Sequence, residues 1–551
     1  MSMTNKEIAK KFQYLGEIME LHEENPFKIK TYLNAYLTIR KLPEPLAEMA
    51  PADREKIKGI GSSTNAGIQE LLETGTMQAL KKFEEKTPPG VQEMLAIPGF
   101  GPKKIRVIWK ELGVETIGEL RYACNENRLV ELKGFGEKTQ EDLRQKLELY
   151  QKSKGKFLYA EMEERADGLL KFIREKLPQA KTELTGAVRR RDNIVERIEI
   201  LVGFEGDISV IFDENYLVKT GESNGSYLAK TSDEIPTTIY QCRPQEFGSK
   251  LFRYSASEAF MQAFLKQNEG LDFKGLETEA AVFEKAGLPV LEPELREGAW
   301  PLGQQFDRLV ETSDIKGIVH AHSTWSDGLH SLREMAEHAR SLGYAYLGIT
   351  DHSKSAFYAN GLKEDRVLAQ WAEIDELNRE LAPFRIFKGI ESDILNDGSL
   401  DYPDEILAGF EFIIASVHSN LRMDEEKATQ RLLRAIENKY TTILGHPTGR
   451  LLLSRAGYPI DHRKIIDACA ASGVCIELNA NPHRLDLDWT WIPYALEKNV
   501  MISINPDSHS TGGMRDIRFG VYSARKGGLS AKNCLTCMEL ADFEAFIVHK
   551  K

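Results

Sequence analysis

The sequence predicts a multidomain chain with a helical N-terminal part, an α+β middle part and a C-terminal distorted (β/α) barrel. The first 150 residues carry the 3.6-residue periodicity of amphipathic helices, whereas apolar and polar side chains alternate with a period of two in residues 196–202. Beyond residue 317, apolar strand patterns alternate with helical ones. A chain of 551 residues is also too long for a single core, so several domains are expected.

The composition is typical of a water-soluble globular protein, with 42% hydrophobic and 28% charged residues. The N-terminal residues are charged and amphipathic, without the apolar run of a signal peptide or a membrane span. Six cysteines, mostly far apart, do not make a disulfide framework. We therefore expect a cytoplasmic protein with no membrane partner.

The net charge of −12 is distributed unevenly along the chain. Residues 1–160 contain 26 Lys and Arg against 23 Asp and Glu, which leaves 46 against 61 for the remaining residues. A mildly basic front and an acidic body fit a protein that binds phosphates at one end and metal ions at the other.

One glycine pattern, apolar-x-Gly-apolar-Gly between two amphipathic helices, recurs three times in the helical part. Glycine permits positive φ and close approach of a partner, and the turn opens a helix whose free N–H groups can receive a phosphate oxygen. Lys103 and Lys104 follow the second copy and would lie beside that phosphate. The pattern resembles the helix-hairpin-helix motif, which implies DNA-backbone contacts without sequence specificity. The glycines are Gly59, Gly61, Gly99, Gly101, Gly134 and Gly136.

Four further segments resemble the bacterial family X DNA polymerases along essentially the whole chain. TGAVRRRDNIVERIEILVG at 185–203 is similar to the start of their palm, and RPQEFGSKLFRYSAS at 243–257 to its later part. ENPFKIKTYLNAYLTIRKL at 24–42 is similar to their N-terminal eight-kilodalton domain, and ETEAAVFEKAGLPVLEPELREG at 277–298 to their thumb and linker. The resemblance implies a nucleotidyltransferase-like α+β palm and thumb in the middle of the chain.

The palm departs from the family pattern where the family binds nucleotide and metal. The family reads Gly-Ser-x-Arg-Arg, then a strand with Asp-x-Asp, then a third Asp on a neighbouring strand. A guanidinium cannot ligate Mg²⁺ and would repel it. The resemblance therefore implies a degenerate polymerase site, and we predict that templated polymerisation is lost. Those family positions fall here on Ala187, Arg197, Glu199 and Thr238.

Eleven of the twelve histidines lie from residue 320 onward, and several close apolar strands. Functional residues at the carboxyl ends of strands are typical of a (β/α) barrel. In His320-x-His322 both imidazoles share one side of the strand. The candidate metal ligands are His320, His322, Asp327, His352, Glu391, His418, His446, Asp507 and His509.

Nine nitrogen and oxygen ligands exceed what one or two ions need, so we predict about three divalent ions, with Glu391 suited to bridging. Imidazoles and carboxylates without thiolates suit Mn²⁺, Zn²⁺ or Fe²⁺. Clusters of such ions hydrolyse phosphoesters. The set resembles the polymerase-and-histidinol-phosphatase (PHP) domain that bacterial family X polymerases carry at this end, which implies a (β/α)7-type barrel.

Four residues are candidates for catalysis. Glu391 is one, as the bridging ligand, and Arg450, Arg484 and Lys354 are candidate phosphate contacts because guanidinium and ammonium groups bind phosphate oxygens. Asp351, next to His352, is predicted to hydrogen-bond that histidine.

These observations divide the chain into five parts. Residues 1–85 form an eight-kilodalton-like DNA-binding domain, 86–152 helix-hairpin-helix fingers and 153–300 an inactive palm and thumb. Residues 301–316 are a linker, and 317–551 form the PHP metallo-phosphoesterase domain.

The predicted function is DNA repair through metal-dependent hydrolysis of DNA from the 3′ end. The partner is gapped, nicked or 3′-ended DNA, and the same site would suit 3′-phosphodiesters and abasic sites. Three alternatives remain open: an active gap-filling polymerase that uses Glu199, a non-enzymatic DNA-binding scaffold, and a small-molecule phosphoesterase. Protein partners are unknown from the sequence.

Overall fold

The computed structural model describes residues 3–42, 44–97, 100–130, 132–152, 155–223 and 225–550, apart from the side chains of 148–149, 151–152 and 549–550. The chain divides into two compact units, Met1–Tyr150 and Gln151–Lys551. In the described residues, no helix has both the length and the apolar character needed to cross a bilayer.

The first unit is helical. Its first helix starts at a capping box, in which the Glu7 carboxylate accepts from the Thr4 N–H (2.7 Å) and Thr4 Oγ1 accepts from the Glu7 N–H (3.3 Å). The apolar face of that helix buries Ile8, Phe12 and Leu15 in the core of the unit. The helices are α1 (Asn5–Leu21), α2 (Pro26–Ile39), α3 (Pro51–Arg54), α4 (Ser62–Thr74), α5 (Gln78–Glu84), α6 (Pro89–Met94), α7 (Pro102–Leu112), α8 (Ile117–Asn125) and α9 (Glu137–Lys152).

The second unit begins with an α+β region whose five-stranded mixed sheet has the order β2-β4-β7-β6-β5. The central strand β4 pairs antiparallel with β2 and parallel with β7. The strands are β1 (Phe157–Leu158), β2 (Lys181–Thr185), β3 (Ile194–Val195), β4 (Ile198–Gly203), β5 (Leu217–Ser223), β6 (Ser226–Thr231) and β7 (Pro236–Cys242). The helices are α10 (Tyr159–Lys176), α11 (Gly186–Arg189), α12 (Phe247–Tyr254), α13 (Glu258–Gln267) and α14 (Glu279–Lys285).

The rest of this unit is a barrel of seven parallel strands in sequential order, connected largely through helices. An isolated β-bridge between Ala321 and Ser508 joins the segments that follow the first and last strands and nearly closes the barrel. The strands are β8 (Gly317–Ile318), β9 (Tyr346–Ile349), β10 (Arg385–Asp393), β11 (Phe412–Ser416), β12 (Ile443–Leu444), β13 (Cys475–Asn479) and β14 (Ile502–Asn505). The helices are α15 (Leu332–Ser341), α16 (Glu364–Leu381), α17 (Asp404–Leu407), α18 (Glu425–Glu437), α19 (His462–Ser472), α20 (Ile492–Glu497), α21 (Ile517–Lys526) and α22 (Leu540–Lys550).

The predicted fold class is confirmed. A helical front, a mixed α/β middle and a nearly closed parallel barrel follow one another in the predicted order. The strands of the barrel are buried on both faces, as their continuous apolar runs require.

Candidate metal centre

All nine predicted ligands lie at the carboxyl-terminal edge of the barrel. Glu391 is on β10 itself, and the others lie in the segments that follow β8, β9, β11, β12 and β14. The carboxyl ends of parallel barrel strands share one face, so side chains far apart in the sequence meet there.

Glu391 lies at the centre of the cluster. Its Oε1 is 3.0 Å from His446 Nε2, 3.1 Å from His418 Nε2 and 3.5 Å from His320 Nε2. Its Oε2 is 3.0 Å from His352 Nδ1. One carboxylate is therefore close to four imidazoles, each from the segment that follows a different strand in the sequence.

Two aspartates extend this network. Asp507 Oδ1 lies 3.0 Å from His322 Nε2 and 3.2 Å from His320 Nε2. Asp327 reaches His509 Nε2 with Oδ1 (3.4 Å) and His352 Nε2 with Oδ2 (3.6 Å). The structure thus joins all nine predicted side chains in one connected cluster.

Three groups of ligands have donor atoms within 4.8 Å of one another, close enough to hold an ion. His322, His352 and Glu391 each belong to two groups, so these side chains could be shared between neighbouring ions. His446 and Asp507 lie outside the three groups but contact their members. The groups are His322/Asp327/His352/His509, His320/His322/Glu391 and His352/Glu391/His418.

Several buried polar atoms in the cluster have no hydrogen-bond partner among the described residues. They include His320 Nε2, both ring nitrogens of His352, Glu391 Oε2 and Asp327 Oδ2. The side chains of His320, His352 and Glu391 are at most 2% exposed. Buried polar groups are normally paired, and divalent cations would satisfy these atoms together. The residues therefore fit a metal cluster with nitrogen and oxygen ligands.

Carboxylates and imidazoles balance one another's charge in this cluster. Burial raises the pKa of Glu391, but the imidazoles of His418, His320 and His352 outweigh it and hold that pKa well below its usual range. Burial lowers the pKa of His352, but the carboxylates of Asp327 and Glu391 outweigh it and raise that pKa to about 10. Because metal ligands bind deprotonated, bound cations would replace the protons that this arrangement stabilises.

Two buried carboxylates that the sequence analysis missed orient the ligands. Glu477 on β13 accepts from His320 Nδ1 (2.6 Å) and from the backbone N–H of His446 (2.8 Å). Asp393 accepts from Nδ1 of His418. Each contact leaves the Nε2 of its histidine facing Glu391, which is how a carboxylate fixes the tautomer of a metal-binding imidazole. Asp393 lies two residues after Glu391 on the same strand, and that spacing was the available signal.

The prediction that Asp351 hydrogen-bonds His352 is wrong. The Asp351 carboxylate accepts from the N–H and hydroxyl of Ser323 (2.8 and 2.7 Å) and from the hydroxyl of Ser326 (2.5 Å). Adjacent residues of an extended chain point to opposite sides, so Asp351 faces away from its neighbour. It instead braces the loop that carries Asp327.

The three predicted phosphate contacts have different surroundings. Arg484 is buried, with its Nε 3.9 Å from Asp507 Oδ2, at the edge of the cluster. Arg450 donates to the backbone carbonyl of Arg484 (2.9 Å) and so holds the segment that carries it. Lys354 Nζ lies 2.6 Å from Glu364. The binding of phosphate by these residues stays a prediction.

The four positions of the predicted degenerate polymerase site lie on or beside the five-stranded sheet. Glu199 on β4 pairs with Thr238 on β7, whereas Arg197 is exposed just before β4 and Ala187 lies in α11. Glu199 accepts a hydrogen bond from the Tyr240 hydroxyl (2.7 Å). Between residues 155 and 300, the described side chains include no group of three His, Cys, Asp or Glu close enough to hold an ion.

The glycine hairpins of the first unit combine positive φ with open space. Gly59 has φ +102° and Gly134 has φ +88°, whereas Gly99 lies outside the described residues. The second glycine of each hairpin directly precedes α4, α7 or α9, and among the described residues no atom beyond the adjoining backbone lies within 4 Å of the place a Cβ would take. Internal packing does not require glycine there, which leaves room for the backbone of a partner. These second glycines are Gly61, Gly101 and Gly136.

Comparison with known protein families places three domains on the chain. Residues 3–77 match a helix-hairpin-helix domain and residues 91–148 a SAM-like helix-hairpin-helix tandem. Residues 319–481 match the PHP domain, which covers β9 to β13 and most of the ligand cluster.

A full-length relative decides the family. The DNA polymerase/3′-5′ exonuclease PolX of Bacillus subtilis is 34% identical over 580 residues, and the match covers 99% of both chains. The chain belongs to the PolX family of family X DNA polymerases. Two relatives match only about a quarter to a third of the chain: a probable phosphatase of Acetivibrio thermocellus and one of Thermoanaerobacter sp.. They are 29% and 31% identical over 164 and 157 residues, which are 29% and 26% of this chain and 63% and 62% of the relatives.

In this PolX-family chain, the arginines that follow Ala187 are held by acidic side chains from the region after the sheet. Arg189 forms two hydrogen bonds to Glu279 (2.8 and 2.6 Å), and Arg190 binds Glu297 (2.9 Å). These cations are therefore neutralised within the protein.

Replacing Lys103 and Lys104 together with alanine should weaken DNA binding regardless of base sequence. Lys103 is 85% exposed at the start of α7, and Lys104 lies over the ring of Phe135 in the third hairpin. The slope of log affinity against log salt, measured by fluorescence anisotropy on duplex DNA, should become shallower by roughly 0.9 per lost contact. Lys81→Ala with Lys82→Ala on α5 removes the same charge away from a hairpin. An equal change of slope in both double variants would contradict the assignment.

Proposed function

We propose that the chain is a 3′–5′ exonuclease that acts in DNA repair and hydrolyses DNA at about three divalent ions. The nine clustered side chains would hold Mn²⁺, Zn²⁺ or Fe²⁺. The observation that carries the proposal is Glu391, whose buried carboxylate meets four imidazoles and has one oxygen without a hydrogen bond in the part of the chain that the structure describes. The Bacillus subtilis relative is named a DNA polymerase/3′-5′ exonuclease, and this name supports hydrolysis of DNA from the 3′ end as the reaction.

Divalent ions in such a site supply a nucleophilic water at neutral pH and neutralise phosphate oxygens. The chain's own residues position the substrate. Arg484 lies next to Asp507 and would direct its guanidinium N–H groups to a phosphate oxygen. Arg450 keeps the Arg484 segment in place, and Lys354 would reach phosphate by leaving Glu364. Glu477 holds the imidazole of His320 in position.

The hairpins of the first unit would hold the DNA. Their open second glycines and the N-termini of α4, α7 and α9 suit backbone phosphates, and such contacts do not read bases. We infer that the chain binds gapped, nicked or 3′-ended DNA with little regard to sequence.

We also propose that templated polymerisation is lost. Glu199 is the one carboxylate among the four family positions, and it is already hydrogen-bonded to Tyr240. Thr238 beside it offers a buried hydroxyl instead of a carboxylate. Two catalytic metal ions need several carboxylate oxygens, so this arrangement does not support the polymerase alternative.

The direct test of nuclease activity uses the full-length protein and a gapped duplex labelled at a 3′ end. We expect labelled mononucleotide as the first product with Mn²⁺, and none after chelation. A 5′-labelled copy should shorten one nucleotide at a time. Release of 5′ label, or activity that survives the chelator, would contradict the proposal.

A second candidate, a phosphatase on small esters or on DNA 3′-phosphates, is favoured by the probable phosphatases that match the barrel. The same preparation should be given p-nitrophenyl phosphate and 3′-phosphorylated DNA. A phosphatase would release inorganic phosphate from both without releasing mononucleotides, whereas the exonuclease proposal requires mononucleotides.

A further inference from the structure

The loop that follows His352, residues 353–362 (here the aromatic loop), is held firmly at both ends. The Leu362 N–H donates to the His352 carbonyl (2.9 Å), which closes the loop on itself. The Ser355 hydroxyl donates to Asp393 (2.7 Å), the carboxylate that also binds a histidine of the cluster. The two alanines of the loop are buried. The backbone of the loop is therefore held in place beside the cluster.

The aromatic loop presents Phe357 to the surface. This side chain is 84% exposed, the highest value among the large apolar side chains of the described residues. Its ring centroid is 6.2 Å from that of Tyr358, which is 6.4 Å from the imidazole of His352. A short path of rings thus leads from the surface to the metal ligands. Exposing a phenylalanine forgoes the free energy of burying it, and an exposed ring this close to the cluster is available to an apolar or aromatic group of a substrate.

A neighbouring loop adds a second apolar side chain at the same edge. In residues 323–330, Leu329 is 48% exposed, and its N–H donates to the carbonyl of His509 (2.7 Å). Asn360 of the aromatic loop reaches the carbonyl of Trp325 (3.5 Å), which links the two loops. The rim of the site therefore has an apolar side formed by two connected loops.

We propose that Phe357, backed by Tyr358, stacks on the base of the 3′-terminal nucleotide and so positions that nucleotide for hydrolysis. The inference rests on the proposed nuclease function. Base–aromatic stacking accepts every base, which suits an enzyme that degrades any sequence. A paired terminal base is already stacked in its duplex and must leave that stack before it can reach the ring. The ring of Phe357 is therefore available only to a terminal base that has left its duplex.

The test measures KM for the full-length wild type, Phe357→Ala and Phe357→Trp on three substrates. The substrates are a single-stranded 3′ end, the same strand with a base-free terminal nucleotide, and the blunt duplex. Because Phe357 is exposed, these changes should not affect folding. Val548→Ala is the control: Val548 is 70% exposed on α22, whose Phe543 stacks on Tyr346 at the amino end of β9, away from the ligands.

We expect Phe357→Ala to raise KM for the single-stranded end about tenfold, within the range of one lost stack. Phe357→Trp should keep the KM of the wild type, because tryptophan also stacks on a base. On the base-free terminus, wild type and Phe357→Ala should be equal, and the wild type should prefer the single-stranded end over the blunt duplex. The inference would be overturned if wild type and Phe357→Ala had the same KM for the single-stranded end. It would also be overturned if Phe357→Ala raised KM for the base-free end as much as for the single-stranded end. If Glu391→Ala keeps the nuclease, or the wild type degrades none of the substrates, the proposed function itself fails.

Discussion

Replacing Glu391 with alanine should reduce mononucleotide release from a 3′ end by a thousandfold or more. Its carboxylate meets four imidazoles, and one of its oxygens has no hydrogen bond among the described residues. Without it, the imidazoles lose the negative charge at their centre and the bridging ligand between ions. A thousandfold loss corresponds to about 4 kcal/mol of barrier, which is within what metal-ion catalysis contributes.

Three measurements make this prediction specific. Glu391→Gln keeps the volume of the side chain and should lose activity almost as completely. Metal content should fall in both variants while the far-ultraviolet circular dichroism stays that of the folded protein. Glu199→Ala in the five-stranded sheet should leave DNA degradation nearly unchanged. If Glu391→Ala keeps near-normal activity and Glu199→Ala loses it, the reaction occurs at the five-stranded sheet and not in the barrel.

Glu279→Gln should destabilise the second unit by about 3 kcal/mol, measured by denaturant unfolding at neutral pH. Glu279 is paired with both Arg189 (2.6 Å) and Arg296 (2.5 Å), and the Arg296 side chain is 2% exposed. Removing the carboxylate leaves a buried guanidinium without its counter-charge. Replacing one partner of a buried pair costs far more than the pair contributes, because the other charge stays desolvated.

The control is Glu222→Gln, which breaks the exposed Lys219–Glu222 pair and should cost at most about 1 kcal/mol. The pH dependence gives a second check. Burial raises the pKa of Glu279, but the hydrogen bond from Arg189 and the charge of Arg296 outweigh it and lower that pKa. This stabilisation is present above the ordinary glutamate pKa of about 4.3 and is lost as pH falls through the lowered value. Similar losses in both variants would contradict the buried-pair account.

The ligand cluster could be predicted because two regularities reinforce each other. Residues at the ends of consecutive parallel strands converge on one face, and imidazoles and carboxylates recur at those ends. The sequence therefore located His320, His352 and His418 beside Glu391 without any knowledge of distances.

The contacts around the cluster could not be predicted in the same way. Asp351 was assigned by adjacency in the sequence, but adjacent side chains point apart, and two of its partners, Ser323 and Ser326, lie more than twenty residues away. Glu477 orients His320 across the barrel, and nothing in its own segment indicates that contact. Arg450 was recognised as a cation, but its backbone partner depends on how a distant loop folds.

In the five-stranded sheet, the family resemblance predicted which strands are neighbours but not which side chains are in contact. It implied that Glu199 and Thr238 lie on neighbouring strands, and they are paired directly. It did not reveal that Tyr240 binds the remaining carboxylate or that Glu279 holds Arg189.

The most direct measurement of the central claim uses one DNA substrate for both activities. A 5′-labelled primer in a one-nucleotide gap should be incubated with the full-length protein, all four nucleotides, and Mg²⁺ or Mn²⁺. We expect products shorter than the primer and none longer, and we expect the shortening to be lost in Glu391→Ala. Nucleotide-dependent extension that disappears in Glu199→Ala would contradict it.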